Sequence, residues 1–212
     1  MIARRVLLQA ALFVLFASPV RARKIEPARL NPQEQAEVAR LTDYLNGIGS
    51  FSSHFQQYSE EGELATGRIF MRRPGRLRVE YDPPSQLLLV ADGIAMNYYD
   101  GELDHLEQIP LQLSPLWFLL KEKISLEDDV VLIGYQHSAN VFRLSLAQRS
   151  EPDAGRVTLE FGDHPLELRR WTITGPNEKQ VSVSLYDAQF GVALENEMFK
   201  TPSRRRKGNN KN

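Results

Sequence analysis

Residues 72–81 read RRPGRLRVEY, and this stretch contains a turn followed by a strand. Leu77, Val79 and Tyr81 alternate with arginine and glutamate. A period of two is typical of a strand with one buried and one solvated face. Arg73-Pro74-Gly75 supplies the turn, because proline and glycine favour tight reversals of the chain. The stretch therefore predicts two antiparallel strands joined by a short turn.

The same alternation recurs along most of the chain after residue 50. Short connections rich in proline, glycine and aspartate separate the apolar runs, as in antiparallel sheets. No regular alternation of strands with helices appears, which disfavours a doubly wound nucleotide-binding fold. About eleven strands are predicted, near residues 50–58, 64–72, 76–82, 86–91, 94–100, 103–109, 130–136, 140–147, 156–162, 166–175 and 180–187. Their spacing predicts a mainly β fold with some α, an antiparallel meander curled into a barrel or half-barrel.

One helix is predicted before these strands. Asn31 can cap it, and Pro32 suits its first position. Gly47 and Gly49 end it. Its apolar residues follow at spacings of three and four and form one face, with Val38, Leu41, Leu45 and Ile48. Near the other end of the chain, the alternation slips by one between Leu168 and Trp171, which predicts a β-bulge.

Residues 110–129 interrupt the series of strands. Ser114 and Pro115 predict a helix start, and Ser125 with Asp128 predicts a second one. Five apolar residues follow the first start: Leu116, Trp117, Phe118, Leu119 and Leu120. A helix that is apolar all round is contacted on more than one side. Two interpretations stay open, a lid over an apolar interior and a plug that fills the mouth of a small barrel.

Charge is distributed unevenly along the 212 residues, whose formal net charge is −1. Residues 1–22 carry three arginines and no acidic residue, and residues 204–212 carry five basic residues. The 181 residues between them hold 18 basic side chains against 27 acidic ones. An acidic body is atypical of nucleic-acid binding, which needs a basic face. Residues 204–212 are expected to be a disordered basic tail.

The N-terminus predicts an export signal. Arg4 and Arg5 precede the apolar stretch 6–17, and residues 20–22 offer a cleavage site with small residues at the right positions. Twelve helical residues rise about 18 Å, which is too short for a hydrocarbon core of about 30 Å. We therefore expect residues 1–22 to be a cleaved signal peptide and residues 23–203 to form one domain that is exported across the inner membrane.

The sequence contains no recognisable catalytic or metal site. Absence of cysteine excludes disulfides, cysteine zinc sites, thiol nucleophiles and lipid attachment at an N-terminal cysteine. The four histidines form no H-E-x-x-H motif, and no glycine-rich phosphate loop occurs. Acidic pairs such as Glu60-Glu61 are better explained by solvation than by glycosidic catalysis. We therefore predict a binding protein with no catalytic residues, no metal and no cofactor.

Arg73 admits two interpretations at this stage. An arginine before a proline at a strand end is most often a solvated surface charge. Alternatively, its guanidinium holds backbone carbonyls or a carboxylate across the barrel mouth, because it offers five donors in a fixed fork.

Several motifs occur in an order shared with a known family. They are Phe51, Phe55 and Gln57, then Gly67, 72–76, Tyr81, Pro84, Gln86, Asp92-Gly93, 98–100, Pro110, Ser114-Pro115, Phe199 and Pro202. With an export signal and no lipid-attachment cysteine, the chain resembles the LolA family of periplasmic carriers for outer-membrane lipoproteins. The resemblance covers roughly residues 33–202. The chain departs from the family at Val79 and Asn97, two positions at which other members often have tryptophan.

The resemblance implies an incomplete antiparallel barrel of about eleven strands covered by a helical lid. It implies that Arg73 latches the lid through hydrogen bonds to lid backbone, which break when ligand enters. The lid would include the five apolar residues Leu116–Leu120. The apolar cavity beneath it would take lipoprotein acyl chains, with Phe55, Leu77, Val79, Met96 and Tyr98 as candidate contacts.

The resemblance also implies a function and partners. A carrier of this family binds acylated lipoproteins, receives them from an inner-membrane ABC transporter and passes them to an outer-membrane acceptor. We expect a monomer that shuttles lipoproteins between the two membranes. The alternatives are a carrier of another lipid or glycolipid, a sensor of lipoproteins, and a lipid hydrolase with an unrecognised site.

Overall fold

Eleven strands form one antiparallel sheet in the computed structural model, which describes residues 26–201. The strands are β1 Ser50–Ser59, β2 Leu64–Arg72, β3 Arg76–Tyr81, β4 Leu87–Asp92, β5 Ala95–Asp100, β6 His105–Pro110, β7 Val130–Ser138, β8 Val141–Gln148, β9 Arg156–Gly162, β10 Glu167–Thr174 and β11 Gln180–Phe190. The predicted strands are confirmed, with small differences at their ends. The predicted signal peptide and the basic tail lie outside the described residues.

The strand order is β6-β5-β4-β3-β2-β1-β11-β10-β9-β8-β7, so β6 and β7 are the edges. Alternate side chains from both halves of this sheet meet in a single apolar core, together with the helix and the connection between β6 and β7. The predicted fold, an incomplete antiparallel barrel, is confirmed. The predicted bulge is also present, as a register shift in β10 between Leu168 and Arg170.

The stretch that predicted the turn joins β2 to β3. Arg72 pairs with Arg76 across the turn, and Gly67 pairs with Tyr81 at the other end of the pair of strands. Leu77 and Val79 are buried on the core side, whereas Arg76 and Arg78, which alternate with them, are only half-buried. The alternation therefore predicts correctly which side chains of β3 are buried. The turn residue Arg73 lies at one end of the curled sheet.

The helix α1, Pro32–Gly47, begins with the predicted cap. The Asn31 side chain accepts a hydrogen bond from the Glu34 backbone N–H at 3.0 Å. Glu34 accepts one in return from the Asn31 backbone N–H at 2.8 Å. This reciprocal capping box satisfies two backbone donors that the first turn of a helix leaves free.

Replacing Asn31 with alanine is expected to lower the free energy of unfolding by about 1 kcal/mol, because one cap acceptor is lost. Urea denaturation followed by circular dichroism measures this change. Gln33→Ala in the same turn is the matched control and is expected to change stability by less than about 0.5 kcal/mol. Equal effects from the two variants would mean that the cap does not stabilise α1.

Contacts along its whole length hold α1 on the sheet. Leu41 and Leu45 are buried against the core. The Arg40 guanidinium donates to Asp163 at 2.7 Å, and this hydrogen bond holds the pKa of Asp163 below its usual value. The Tyr44 hydroxyl accepts from the Leu168 backbone N–H at 3.1 Å. The C-terminal turn of α1 therefore has a fixed position near the β2–β3 turn.

The connection between β6 and β7 is called the bridging segment, Leu111–Asp129. It contains two short 3₁₀ helices, Leu111–Leu113 and Trp117–Leu120; two more 3₁₀ helices lie elsewhere, at Pro152–Ala154 and Asn196–Phe199. No helix within residues 26–201 is long and apolar enough to cross a membrane.

The prediction of an α-helix starting at Ser114 and Pro115 is wrong. Ser114 makes no side-chain cap, and the helix begins after Leu116. The Ser114 carbonyl accepts from the Trp117 N–H at 3.0 Å and from the Gln148 side chain at 2.9 Å. Because partners elsewhere in the fold occupy the carbonyls of this segment, its backbone forms a single tight turn instead of a longer helix.

The second predicted helix start is a turn. The Asp128 N–H donates to the Ser125 hydroxyl at 3.1 Å, which is the capping contact that the sequence indicated. The chain then enters β7 directly at Val130. A capping pair alone therefore does not produce a helix when a strand follows within two residues.

Candidate functional site

Arg73 connects three parts of the fold. Its Nε donates to the Leu119 carbonyl in the bridging segment at 2.8 Å, and a terminal guanidinium nitrogen donates to the Leu45 carbonyl in α1 at 2.6 Å. Its own backbone N–H donates to the Gly49 carbonyl at 2.8 Å. The guanidinium fork therefore ties the bridging segment and the end of α1 to the β2–β3 turn.

The backbone of the same turn adds a further contact to the bridging segment. The Gly75 N–H donates to the Leu120 carbonyl at 2.7 Å. Gly75 has a φ of 72°, and a Cβ there would lie 2.7 Å from the Gly93 Cα. Only glycine fits this position, because a side chain would be strained and would collide with the neighbouring turn.

Burial lowers the pKa of Arg73 to about 10, because removal from water disfavours its charged form. It remains a cation at neutral pH. Its side-chain partners within residues 26–201 are carbonyl oxygens and include no carboxylate. Hydrogen bonds from a cation to neutral carbonyl groups are weaker than a buried ion pair. Water can therefore replace these contacts when the segment moves.

An apolar cavity of about 50 Å³ lies beside Arg73, between the bridging segment and the sheet. Arg73 is the one charged residue among those that line it. The lining residues are Leu45, Ile48, Phe51, Ile69, Met71, Arg73, Leu77, Leu116, Leu119, Leu120, Leu168 and Trp171. We call this space the Arg73 cavity.

A second cavity of about 70 Å³ lies on the other side of the bridging segment. Phe118 lines it, together with Val130, Leu146 and Val157. Leu119 and Leu120 face the Arg73 cavity instead. The segment is therefore contacted on two sides, as its all-round apolar sequence predicted.

The structure places the predicted cavity residues differently. Leu77 lines the Arg73 cavity. Phe55, Val79 and Met96 are buried in the same core without lining this cavity, and Tyr98 is half-buried. The contact of these side chains with an acyl chain remains a prediction for the ligand-bound state.

Of the predicted lid residues, Leu116, Leu119 and Leu120 line the Arg73 cavity, whereas Phe118 lines the second one. Trp117 packs on the core from the bridging segment.

Sequence reasoning missed most of the wall of the Arg73 cavity. Ile69 and Met71 alternate in β2 as Leu77 and Val79 do in β3, so the same period could have identified them. Trp171 lies after the β10 bulge, which shifts its face. Asn97, where the family often has tryptophan, is 2% exposed and bonded to the Val90 carbonyl at 3.3 Å.

Phe55 and Tyr81 form an aromatic pair in the apolar core. Their ring centroids are 5.3 Å apart in an edge-to-face arrangement. The Tyr81 hydroxyl donates to the Gln57 side chain at 2.9 Å, and burial raises the pKa of Tyr81. Buried tyrosine hydroxyls need such a partner, so this contact keeps the polar group satisfied inside an apolar region.

Within the described residues, no group of three or more histidine, aspartate or glutamate side chains is arranged to hold a metal ion. The chemistry of the site is therefore that of an apolar cavity, a buried guanidinium and a covering segment. Such an arrangement binds apolar groups through the hydrophobic effect.

The comparison with known sequences agrees with this architecture. A family model described as outer membrane lipoprotein carrier protein LolA matches residues 46–202. The chain belongs to the LolA family. LolA-family carriers are binding proteins and not enzymes.

Two relatives in the LolA family show the level of sequence identity that this chain shares with such carriers. An outer-membrane lipoprotein carrier protein from Pseudomonas aeruginosa is 24% identical over 176 residues, covering 78% of this chain and 83% of that protein. One from Chromobacterium violaceum is 36% identical over 75 residues, covering 34% of this chain and 36% of that protein. Among solved structures, a LolA superfamily protein from Nitrosomonas europaea has a TM-score of 0.46 at 9% identity, covering 77% of this chain and 97% of that chain.

Proposed function

We propose that the chain is a periplasmic carrier that binds the acyl chains of lipoproteins and shuttles lipoproteins from the inner to the outer membrane. The bridging segment acts as its lid, and Arg73 acts as the latch. The observation that carries this proposal is the position of Arg73, which holds the Leu119 carbonyl directly beside an apolar cavity.

The size of the Arg73 cavity supports a lid that must move. A cavity of about 50 Å³ has room for only a few water molecules, since each needs about 10–15 Å³. An acyl chain is much larger and therefore cannot enter while the lid is closed. Leu116, Leu119 and Leu120 occupy space that an acyl chain would take once they move outward.

Opening the lid is energetically possible with an acyl ligand. Moving the segment breaks the hydrogen bond from the Arg73 guanidinium to Leu119, which contributes about 1.5–3 kcal/mol, and the backbone bond from Gly75 to Leu120, which contributes about 0.5–1.5 kcal/mol. Burying one methylene contributes about 0.8 kcal/mol. About six methylenes therefore offset these two contacts, and an acyl chain longer than that shifts the equilibrium toward the open form.

The lining also suits a carrier that releases its cargo. Leucine, isoleucine and methionine side chains such as Met71 adapt to chains of different shape. Directional transfer then depends on partners. We propose an inner-membrane ABC transporter that loads the carrier and an outer-membrane acceptor that unloads it.

Photo-crosslinking tests the site of binding. p-Benzoylphenylalanine in place of Leu77, which lines the cavity, is expected to form adducts with the acyl chains of a triacylated lipoprotein. The same residue in place of the exposed Tyr186 on the outer face is the matched control and is expected to form none. Adducts at both positions, or at Tyr186 alone, would contradict binding beneath the lid.

A further inference from the structure

An ion pair joins the middle of the bridging segment, at Lys121, to the last residue of the segment, Asp129, where the chain enters the sheet. Lys121 Nζ lies 2.6 Å from Asp129 Oδ1, and 5.2 Å from the centroid of the Trp117 ring. Asp129 directly precedes β7, one edge of the sheet, whereas Arg73 follows β2 in the other half. Lys121 therefore connects the segment to the second half of the incomplete barrel.

Asp129 is a fixed attachment point. Its backbone N–H donates to the Ser125 carbonyl at 3.3 Å, and its own carbonyl accepts from the Arg149 N–H at 3.2 Å. The Arg149 guanidinium also donates to the Glu127 carbonyl at 2.6 Å. Both ends of this turn are thereby held on the strand pair β7–β8.

The Asp129 carboxylate is almost fully removed from water. Its side chain is 8% exposed, and its Oδ2 is buried without a hydrogen-bond partner in the described structure. A buried carboxylate oxygen without a donor is unfavourable. Lys121 is therefore bound to a carboxylate that is largely shielded from solvent, which strengthens their attraction relative to an exposed pair.

The attachments on the two sides meet on consecutive residues. Arg73 holds the Leu119 carbonyl, the Gly75 N–H holds the Leu120 carbonyl, and Lys121 forms the ion pair. Residues 119–121 therefore cross from one half of the sheet to the other. Further along, Ile124 exchanges two hydrogen bonds with the Asn46 side chain, at 2.8 and 3.2 Å, which limits the mobile part to residues before 124.

We propose that the Lys121–Asp129 pair is a second latch of the lid, and that loading requires release of both latches. This rests on the proposed function, in which the bridging segment is the lid. Lys121 and Asp129 are positioning residues, since neither lines the Arg73 cavity. Loss of Arg73 alone loosens one side of the segment, and loss of both latches leaves residues 119–121 held by the backbone bond from Gly75 to Leu120.

Hydrogen exchange measured by mass spectrometry tests the second latch on the full mature chain without any ligand. Lys121→Met is expected to speed exchange of the peptide covering residues 116–123 by about ten-fold, while peptides of α1 and β1 are unchanged. Lys121→Arg retains the charge and is expected to restore protection. Lys123→Met, at an exposed lysine two residues away, is the matched control and is expected to behave as the wild type.

Asp129→Asn provides a second route to the same result. Asparagine has nearly the same size and removes the charge, so the same peptide is expected to exchange faster. The double variant Arg73→Leu/Lys121→Met is expected to exchange faster than either single variant. Wild-type exchange of residues 116–123 in both Lys121→Met and Asp129→Asn would overturn the second latch. Failure of the wild-type chain to bind any acyl probe would instead overturn the carrier function and leave this result standing.

Discussion

Replacing Arg73 with leucine is expected to speed amide exchange across Leu116–Leu120 by about ten-fold and to alter lipoprotein transfer, without unfolding the domain. Both hydrogen bonds from the guanidinium, to Leu119 and Leu45, are lost. The amides that open are those of the lid turn, including the Leu119 N–H, which donates to the Leu116 carbonyl at 3.0 Å.

Global stability is expected to change much less than lid mobility in the same variant. Losing two hydrogen bonds from a charged donor costs about 3–6 kcal/mol, but the cost of burying the guanidinium disappears at the same time. That burial is strong enough to lower the pKa of Arg73 to about 10. We therefore expect the free energy of unfolding, measured in urea, to change by no more than about 1 kcal/mol.

Arg76→Leu is the control for the Arg73 experiment. Arg76 stands at the other end of the same turn, is half-buried on the strand β3 and, within residues 26–201, forms no side-chain hydrogen bond or ion pair with the bridging segment. It is expected to leave lid exchange and transfer unchanged. Unchanged transfer together with unchanged lid exchange in Arg73→Leu would remove the latch role of Arg73.

Gly67→Ala is expected to lower the free energy of unfolding by about 3 kcal/mol, at the upper end of what overpacking costs. A Cβ at Gly67 would lie 2.0 Å from the Glu80 carbonyl oxygen and 2.8 Å from the Phe55 ring. The first neighbour is backbone of the paired strand β3, so a side-chain rotation cannot relieve the collision. β2 and β3 must move apart, and this displaces the turn that carries Arg73.

Gly49→Ala is the matched control for Gly67. No heavy atom lies within 4 Å of a Cβ at Gly49, so the substitution is expected to change stability by less than about 0.5 kcal/mol. Urea denaturation followed by the fluorescence of the buried Trp171 compares the two variants. Equal stabilities for Gly67→Ala and Gly49→Ala would contradict the close approach of β2 and β3 at this position.

Local patterns predicted the fold well because strands and caps are encoded locally. The alternation of Leu77 and Val79 reports which face is buried, and the slip before Trp171 reports the bulge. Asn31 and Glu34 lie three residues apart, so their capping box is visible in the sequence. The order of strands in the sheet then follows from short antiparallel connections.

The cavity walls and the attachments of the lid could not be predicted in the same way. Gln148 holds Ser114, and Asn46 holds Ile124, across 34 and 78 residues of sequence. Such contacts depend on the curvature of the sheet, and the local periodicity of a sequence does not determine that curvature. The same distant contacts explain why Ser114 does not start an α-helix. The contact of Arg73 with lid backbone was expected from the family resemblance and not from the spacing of residues.

Native mass spectrometry of the mature protein purified from the periplasm shows whether the protein carries a lipoprotein. We expect a fraction of the protein to carry an intact triacylated lipoprotein, and we expect this fraction to fall in Arg73→Leu. Free lipid as the sole bound species would contradict the lipoprotein cargo. A chain that is empty and also ignores added acyl probes would contradict binding beneath the lid, and would make the bridging segment a plug of the barrel.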